Sequence, residues 1–254
     1  MISNDLDQKI SQLQKEITGN ECEINRPQSC KMQIFTGTSW GPERIEKHIK
    51  YGIGMVCTPN EPKAVQPNKI DPRIPVIWDN GAFHGFDEKR YAERMSDIKR
   101  PVIFAVLPDV PMKAKESLEL SKKWLNAVPF KRYLAIQDGV TFNMIHPLLS
   151  KCEGGFLGGS TEWKWREMQK WINLCHSIGL PLHVGRCNGL QQWDRAAILG
   201  ADSCDGSTAA RHNMIECIPR FYQHFTQQQR FVHYIDKEDL MLSIGAAVCQ
   251  ERSA

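Results

Sequence analysis

Several carboxylates in this sequence directly follow short apolar runs and stand beside glycines or amides. The clearest are Asp79 before Asn80-Gly81, Asp109 after Pro108, Asp138 after Gln137 and Asp205 before Gly206. Two carboxylates at one site supply a nucleophile and a proton shuttle, the pair that retaining glycosyl transfer requires. Glycines at such positions let the backbone approach a flat ligand closely. These residue types predict a polar site for a planar ligand such as a purine-like base, whose amidine edge pairs with a carboxylate.

The elements that must position these residues alternate regularly along the chain. Apolar runs predict eight strands at 32–35, 54–57, 76–78, 102–107, 133–136, 155–157, 182–184 and 201–204. Amphipathic patterns predict helices at 42–51, 87–97, 114–126, 142–149, 164–178, 190–199 and 214–227. Strands alternating with helices indicate an α/β protein with a parallel sheet. Eight repeats favour a closed (β/α)8 TIM barrel over an open doubly wound sheet, which has about five or six strands.

The organisation of the chain is predicted to be simple. Residues 1–31 are polar, with Ile10, Leu13 and Ile17 at helical spacing, and indicate an N-terminal helical extension before a catalytic barrel over 32–254. The 254 residues suffice for one large domain. No apolar run reaches the ~18 residues of a membrane span and no signal peptide is visible, so we expect a cytoplasmic protein without a membrane partner.

Composition and motifs narrow the class of function. A net charge of +3 permits a nucleic-acid partner without requiring one. Nine cysteines without a C-x-x-C pair favour a reduced protein with core thiols over a zinc ribbon or disulfide framework. No dinucleotide-binding or P-loop glycine motif is present, so we expect no organic cofactor. Because the cysteines show no standard zinc pattern, we also expect no metal. A composite metal site from Cys204, His212, Cys217 and His224 stays open, although its spacing matches no standard zinc pattern.

The ends of the predicted strands also carry five motifs in chain order. They are Trp78-Asp79-Asn80-Gly81-Ala82-Phe83, Leu107-Pro108-Asp109-Val110, Ala135-Ile136-Gln137-Asp138-Gly139, the run from Gly155 to Lys164, and Asp202-Ser203-Cys204-Asp205-Gly206. Together they resemble the tRNA-guanine transglycosylase superfamily, over residues 32–211. The run Gly158 to Lys164 and the later run His183 to Asn188 are more similar to its DNA-acting branch, the 7-deazaguanine transglycosylases of phages and bacterial modification islands.

The resemblance implies a role for each matching residue. Asp205 would be the nucleophile that attacks C1′ of a deoxyguanosine, and Asp79 would be the general acid and base. Asp109 and Gln137 would hold the edge of the base. The further contacts expected are Gly158, Gly159, Phe83 and Gly185 for the base, and Arg186, Lys164 and Arg211 for the nucleic acid.

The implied reaction replaces guanine in DNA with a 7-deazaguanine precursor, expected to be preQ0. It would proceed by double displacement through a covalent aspartyl-glycosyl intermediate. The family's Cys-x-Cys-x-x-Cys…His zinc site and its long tRNA-holding C-terminal extension are both absent, which argues against a standard tRNA enzyme. The expected partners are DNA and the free base, in the host cytoplasm if the protein is phage-encoded. Accessory proteins or a second copy of the chain stay open.

The residues also admit other interpretations. Asp205 could cap a following helix, and Asp202 competes with it as the nucleophile. Asp79 begins a sequence that is also typical of a turn. Arg186 could contact a phosphate or pair with a carboxylate, and His183 is expected to be a buried, hydrogen-bonded histidine. At the level of function, a tRNA-guanine transglycosylase, a glycosylase that releases a deazaguanine base, and a non-catalytic nucleic-acid-binding subunit stay open.

Overall fold

The computed structural model describes residues 32–38, 41–62, 66–212 and 215–218. Eight parallel strands form a closed barrel in sequence order. They are β1 Gln33–Gly37, β2 Gly54–Cys57, β3 Val76–Trp78, β4 Ala105–Val106, β5 Arg132–Ile136, β6 Gly154–Leu157, β7 Leu182–Val184 and β8 Ser203–Gly206. The predicted (β/α)8 barrel is confirmed. The predicted N-terminal extension and the helix predicted at 214–227 lie wholly or largely outside the described residues.

Helices connect most of the strands. The α-helices are α1 Pro42–Tyr51, α2 Glu88–Ser96, α3 Ala114–Trp124, α4 Phe142–Leu149, α5 Thr161–Ser177, α6 Leu190–Leu199 and α7 Thr208–Arg211, and short 3-10 helices span Pro67–Lys69 and Ala82–His84. Their ends follow local rules. Pro42 opens α1, where its missing N–H costs nothing, and Asp87 caps α2 by accepting from the Arg90 N–H at 2.9 Å. In the described part of the chain, no helix is long and apolar enough to cross a membrane.

Side chains along each strand alternate between two layers, as the pleat of a strand requires. The layer inside the barrel is aromatic and aliphatic, comprising Phe35, Ile77, Phe104, Val106, Tyr133 and Ala135. The layer between the strands and the helices includes Ile34, Met55, Trp78, Leu134, Leu157 and Cys204. Because β1 pairs with β8, Phe35 stands in register with Asp205, which therefore belongs to the inner layer.

Glycines on two strands make room for the rings that fill the barrel. The Tyr133 ring stacks on Phe104 with the ring centroids 3.7 Å apart. A Cβ atom on Gly154 would lie 2.5 Å from the Tyr133 ring, so the stack requires glycine there. A Cβ atom on Gly54 would collide with the Phe35 ring in the same way. The barrel is thus a packed core with its opening at the C-terminal ends of the strands.

Several predicted boundaries differ from the observed ones, most of them by one to three residues, and three of the differences bear on the site. The strand predicted at 102–107 is reduced to Ala105–Val106, between two prolines at 101 and 108. The strand predicted to end at 204 continues through Gly206 because that residue pairs with Thr36 of β1. The helix predicted from 164 begins at Thr161, so Lys164 lies in the first turn of α5.

Candidate active site

Asp205 lies at the C-terminal end of β8, with its side chain 17% exposed at the mouth of the barrel. One oxygen, Oδ1, accepts hydrogen bonds from His183 Nε2 at 2.9 Å and from the Arg186 N–H at 3.4 Å. Among the described residues, none donates a hydrogen bond to the other oxygen, Oδ2. The carboxylate is therefore held by one oxygen, and its other oxygen accepts no hydrogen bond from the described residues. It does not cap α7, whose N-cap residue is Ser207.

Asp202, the competing nucleophile, lies at the other end of β8. Its Oδ2 accepts from the Leu182 N–H at 2.7 Å, at the start of β7, and contacts His176 Nε2 at 2.9 Å. These contacts belong to the N-terminal face of the barrel. The fold therefore separates the two aspartates, and only Asp205 reaches the C-terminal face.

Asp79 follows β3 on the same face. Its Oδ1 accepts from the Gly81 N–H at 2.7 Å, in a turn that Gly81 closes with a φ of 72°. Burial raises the pKa of Asp79 to about 7, the Gly81 hydrogen bond opposes this, and the negative charge of Asp205 adds to the increase. The two predicted catalytic carboxylates are thus electrostatically coupled in one mouth, and they differ in environment.

Asp109 and Gln137 meet, as the resemblance implies, but in a closed network. Asn80 Nδ2 donates to Asp109 Oδ1 at 2.7 Å, and Gln137 Nε2 donates to Asp109 Oδ2. Gln137 Oε1 accepts from the N–H groups of Met112 at 2.9 Å and Gly159 at 2.8 Å. Burial raises the pKa of Asp109 to about 6, against these hydrogen bonds. This network forms a preformed polar wall of the mouth.

Gly158 and Gly159 are required by that wall. A Cβ atom on Gly158 would lie 2.5 Å from Gln137 Nε2, and one on Gly159 would lie 2.5 Å from Asp138 Oδ2. The Gly158 N–H donates to the Ile136 carbonyl, and the Gly159 N–H donates to Gln137. In this arrangement both N–H groups already have partners within the protein, and the expected backbone contacts with a base stay a prediction. Asp138 likewise has a structural contact, because its Oδ2 accepts from the Ser160 N–H at 2.7 Å.

Arg186 reaches across the mouth. Its guanidinium donates from Nη2 to the Gly159 carbonyl and lies 4.8 Å from the centroid of the Phe83 ring. Phe83 is 60% exposed and follows β3, which lies on the opposite side of the barrel from β7. We call this contact the Arg186–Phe83 bridge. The positive charge of Arg186 also opposes the increase in the pKa of Asp109 that burial causes.

The other predicted binding residues fall in different places. Gly185 makes room for the Phe156 ring, which a Cβ atom would approach to 2.7 Å. Arg211 is exposed at the end of α7. Lys164 is only 1% exposed, and its ammonium donates to the carbonyls of Gly185 and Arg186. The charge of Lys164 is thus used inside the protein to hold the segment after β7, which disfavours the contact with nucleic acid that the resemblance implies.

Sequence reasoning gave no site role to two residues of the mouth. Glu61 accepts from Thr38 Oγ1 at 2.9 Å, and burial raises its pKa to about 7. It follows β2 in a proline-rich connection, where no motif marks it. His183 was expected to be buried and hydrogen-bonded, and it is, but its partner is Asp205. The sequence signal that could have placed His183 in the mouth is the alternation along β7, because His183 and Gly185 share the strand face that points into the barrel.

No metal centre is apparent in the parts of the chain that the structure describes: no three His, Cys, Asp or Glu side chains there are placed to hold an ion. Of the composite site considered from the sequence, His224 lies outside the described residues. Cys204 is buried on the outer face of β8, whereas His212 is exposed.

Comparisons with known proteins give information on the fold of the chain only. No protein-family model matches the chain, and no curated protein matches it. Among solved structures, a designed cube-shaped, highly porous protein cage, made by fusing symmetric oligomeric domains, is similar to it with a TM-score of 0.50. The two share 10% identity over 88% of this chain and 83% of that chain.

Proposed function

We propose that this protein is a base-exchange enzyme that replaces guanine in DNA with a 7-deazaguanine precursor, preQ0 or a related base. The observation that carries the proposal is the pair Asp79 and Asp205 at one barrel mouth. Asp205 has one oxygen held and one open, as a nucleophile requires, whereas the pKa of Asp79 is raised to about 7. Retaining glycosyl transfer uses two carboxyl groups in different environments, one protonated as the acid and one ionised as the nucleophile.

In the first displacement, Asp205 Oδ2 attacks C1′ of the deoxyribose and the C1′–N9 bond breaks. The electron pair of that bond leaves with the guanine, which takes a proton from Asp79. A pKa of about 7 leaves about half of the Asp79 carboxyl groups protonated at pH 7. The product of this step is a covalent glycosyl ester on Asp205 and a free guanine.

In the second displacement, the ionised Asp79 accepts the N9 proton of the incoming base. N9 then attacks C1′ from the face that guanine left, and the C1′–Oδ2 bond breaks to regenerate the Asp205 carboxylate. Two inversions restore the β-configuration. Protons and bonds balance over the two steps, and the chain supplies both groups.

DNA and guanine enter the proposal through the five-motif resemblance. A guanine within a duplex is out of reach of a barrel mouth, so the base must be flipped out or already unpaired. Features of the rim are consistent with a nucleic-acid substrate: the exposed aromatic ring of Phe83 and the exposed Arg211.

The test is a base-exchange assay with a matched pair of variants. Single-stranded and duplex DNA containing labelled guanine are incubated with the protein, with and without preQ0, and tRNA is treated in parallel. We expect release of label from DNA that depends on preQ0. Asp205→Asn should reduce it by about 10³-fold or more, because the nucleophile is lost. Asp202→Asn is the control, since Asp202 lies at the other face, and should retain exchange.

Each other outcome overturns part of the proposal. Release without an acceptor identifies a glycosylase that frees the base. Exchange into tRNA alone overturns the assignment to DNA. Absence of release from every polymer overturns the enzymatic assignment in favour of a nucleic-acid-binding subunit. Equal activity of Asp205→Asn and the wild type overturns the role of Asp205 as the nucleophile. A DNA–protein adduct that survives denaturation and disappears in Asp205→Asn would identify the covalent intermediate directly.

A further inference from the structure

His183 is a polar side chain inside the aromatic interior of the barrel. It is 0% exposed, and its ring stacks on Phe156 with centroids 5.0 Å apart and an interplanar angle of 15°. The ring of Phe104 packs edge-on against it at 5.2 Å. An apolar side chain would fill such a position without the cost of burying two ring nitrogens, so the imidazole must be paired to be tolerated.

Both nitrogens of His183 are paired along β8. Nε2 contacts Asp205 Oδ1 at 2.9 Å, and Nδ1 contacts Ser203 Oγ at 2.8 Å. An ionised carboxylate only accepts, so Nε2 carries the proton. For a neutral ring, Nδ1 then accepts from the Ser203 hydroxyl. The result is a chain of two hydrogen bonds that runs from Ser203 through the ring to Asp205.

We propose that His183 is a positioning residue for Asp205. Its N–H and the Arg186 N–H bind the same oxygen, Oδ1, so the carboxylate is held in the one orientation that presents Oδ2 to the mouth. The imidazole cannot rotate away, because the stacked Phe156 ring and Ser203 fix its plane and its tautomer. This inference rests on the proposed function, in which Oδ2 attacks C1′.

The same contact predicts that the second half of the reaction also depends on His183. In the glycosyl ester, Oδ1 is a neutral carbonyl oxygen. When the ester breaks, Oδ1 regains negative charge, and a hydrogen bond to a charged acceptor is about twice as strong as a neutral one. His183 therefore favours release of the sugar from Asp205 in the second displacement. Loss of the N–H should make the covalent intermediate accumulate.

The first test reads the contact independently of activity. In protein labelled with ¹⁵N-histidine, nuclear magnetic resonance should show a proton on Nε2 of His183, with the signal assigned by its loss in His183→Gln. In Asp205→Ala the Nε2 proton should move upfield, since its acceptor is gone. A His183 proton on Nδ1 alone, or a spectrum unchanged in Asp205→Ala, would overturn the proposal even if the protein exchanges bases.

The second test compares two replacements in the exchange assay. His183→Phe removes the donor, and we expect kcat to fall by about 10²-fold with KM for the free base nearly unchanged. The fraction of enzyme trapped as DNA adduct should rise. His183→Gln keeps an N–H that can donate to Oδ1 and should recover most of kcat. Equal kcat in the two variants, or a change confined to KM, would contradict the positioning role. If the wild type exchanges no base, the proposed function fails, while the resonance test still decides the contact.

Discussion

At the residue scale, the barrel places its two mouth aspartates, Asp79 and Asp205, in different surroundings. Asp79 is buried beside other carboxylates and has a hydrogen bond from one backbone N–H, and its pKa rises to about 7. Asp205 is held by an imidazole and a backbone N–H at the edge of the same opening. The difference lies in the neighbours that the fold brings to each, and it is the basis on which we propose proton transfer by Asp79 and attack by Asp205.

Asp79 should lower the free energy of unfolding at neutral and alkaline pH. Because its pKa is raised from 3.8 to about 7 in the folded state, the folded protein binds more protons than the unfolded chain between these values. Stability from this group is therefore full below pH 3.8 and is lost as the pH rises to about 7. Asp79→Asn removes the penalty. We expect its Tm to exceed that of the wild type at pH 8, by about 2–4 °C for each kcal/mol recovered.

The measurement is thermal unfolding of both proteins across pH 4–8, with Asp202→Asn as the control at the opposite face. The advantage of Asp79→Asn should shrink towards pH 4, where the native carboxyl is already neutral. A Tm difference independent of pH would show that the pKa of Asp79 is not raised. In the exchange assay the same variant should lose about 10²–10⁴-fold in rate, because it cannot transfer the proton.

At the element scale, packing inside the barrel depends on glycines in the strands, because the space that their missing side chains leave is filled by neighbouring rings. Gly154 of β6 leaves the space that the Tyr133 ring occupies, and that ring stacks on Phe104 of the neighbouring interior position. A methyl group there would have to displace the stack. By contrast, a Cβ atom on Gly37 would meet Ser207 at 3.6 Å, an ordinary van der Waals distance.

These two glycines make a matched pair. Gly154→Ala should lower the free energy of unfolding by about 1–3 kcal/mol through overpacking. Gly37→Ala, also on a strand and without a positive φ, should change it much less. Urea denaturation followed by circular dichroism measures both. Equal effects of the two substitutions would mean that the aromatic stack adjusts without cost.

The sequence was sufficient for elements whose signals are local. Six elements have the predicted bounds, since periodicity and nearby glycines or prolines mark them. They are the helices Pro42–Tyr51, Phe142–Leu149 and Leu190–Leu199 and the strands Gly54–Cys57, Val76–Trp78 and Leu182–Val184. The C-terminal end of β8 was missed because Asp-Gly is typical of a turn, and only pairing with β1 extends the strand.

The candidate site could be predicted only as far as strand ends could be placed. Asp79, Asp109, Gln137 and Asp205 do meet at one face, as any parallel barrel requires of residues that follow its strands. Sequence order could not show that Lys164 points inward, because that contact joins a helix to a strand end whose relative rotation is set by packing. Alternation along β7 predicts an inward His183, but only the register between β7 and β8 brings it to Asp205. The sequence also could not show that Asp202 and Asp205 lie at opposite ends of β8, which is what separates the two candidates for the nucleophile.

At the scale of the whole molecule, the cysteines report on the integrity of the barrel. None of the six described cysteines forms a disulfide, and five of them are buried: Cys57, Cys152, Cys175, Cys187 and Cys204. Burial raises the pKa of Cys152 and of Cys175 to about 12. Since the thiolate is the reactive form, these thiols should react only when the barrel opens.

A variant with Cys22, Cys30, Cys217 and Cys249 replaced by serine retains the five buried thiols. In native buffer we expect fewer than about one thiol per chain to react with Ellman's reagent, and all five to react in guanidinium. Absorbance of the released thiolate gives the count. If the labelling midpoint coincides with that of circular dichroism in a denaturant series, the barrel opens as one unit. Rapid labelling of several thiols in native buffer would contradict the packed interior.

Under the proposed function, the Arg186–Phe83 bridge has a kinetic consequence. It joins segments that follow β7 and β3, on opposite sides of the opening, and we expect the contact to part before a base reaches Asp205. The apparent dissociation constant would then be the intrinsic one divided by the parted fraction. At high base concentration the observed association rate should level off at the rate of parting, which would set the upper limit on how fast the site fills.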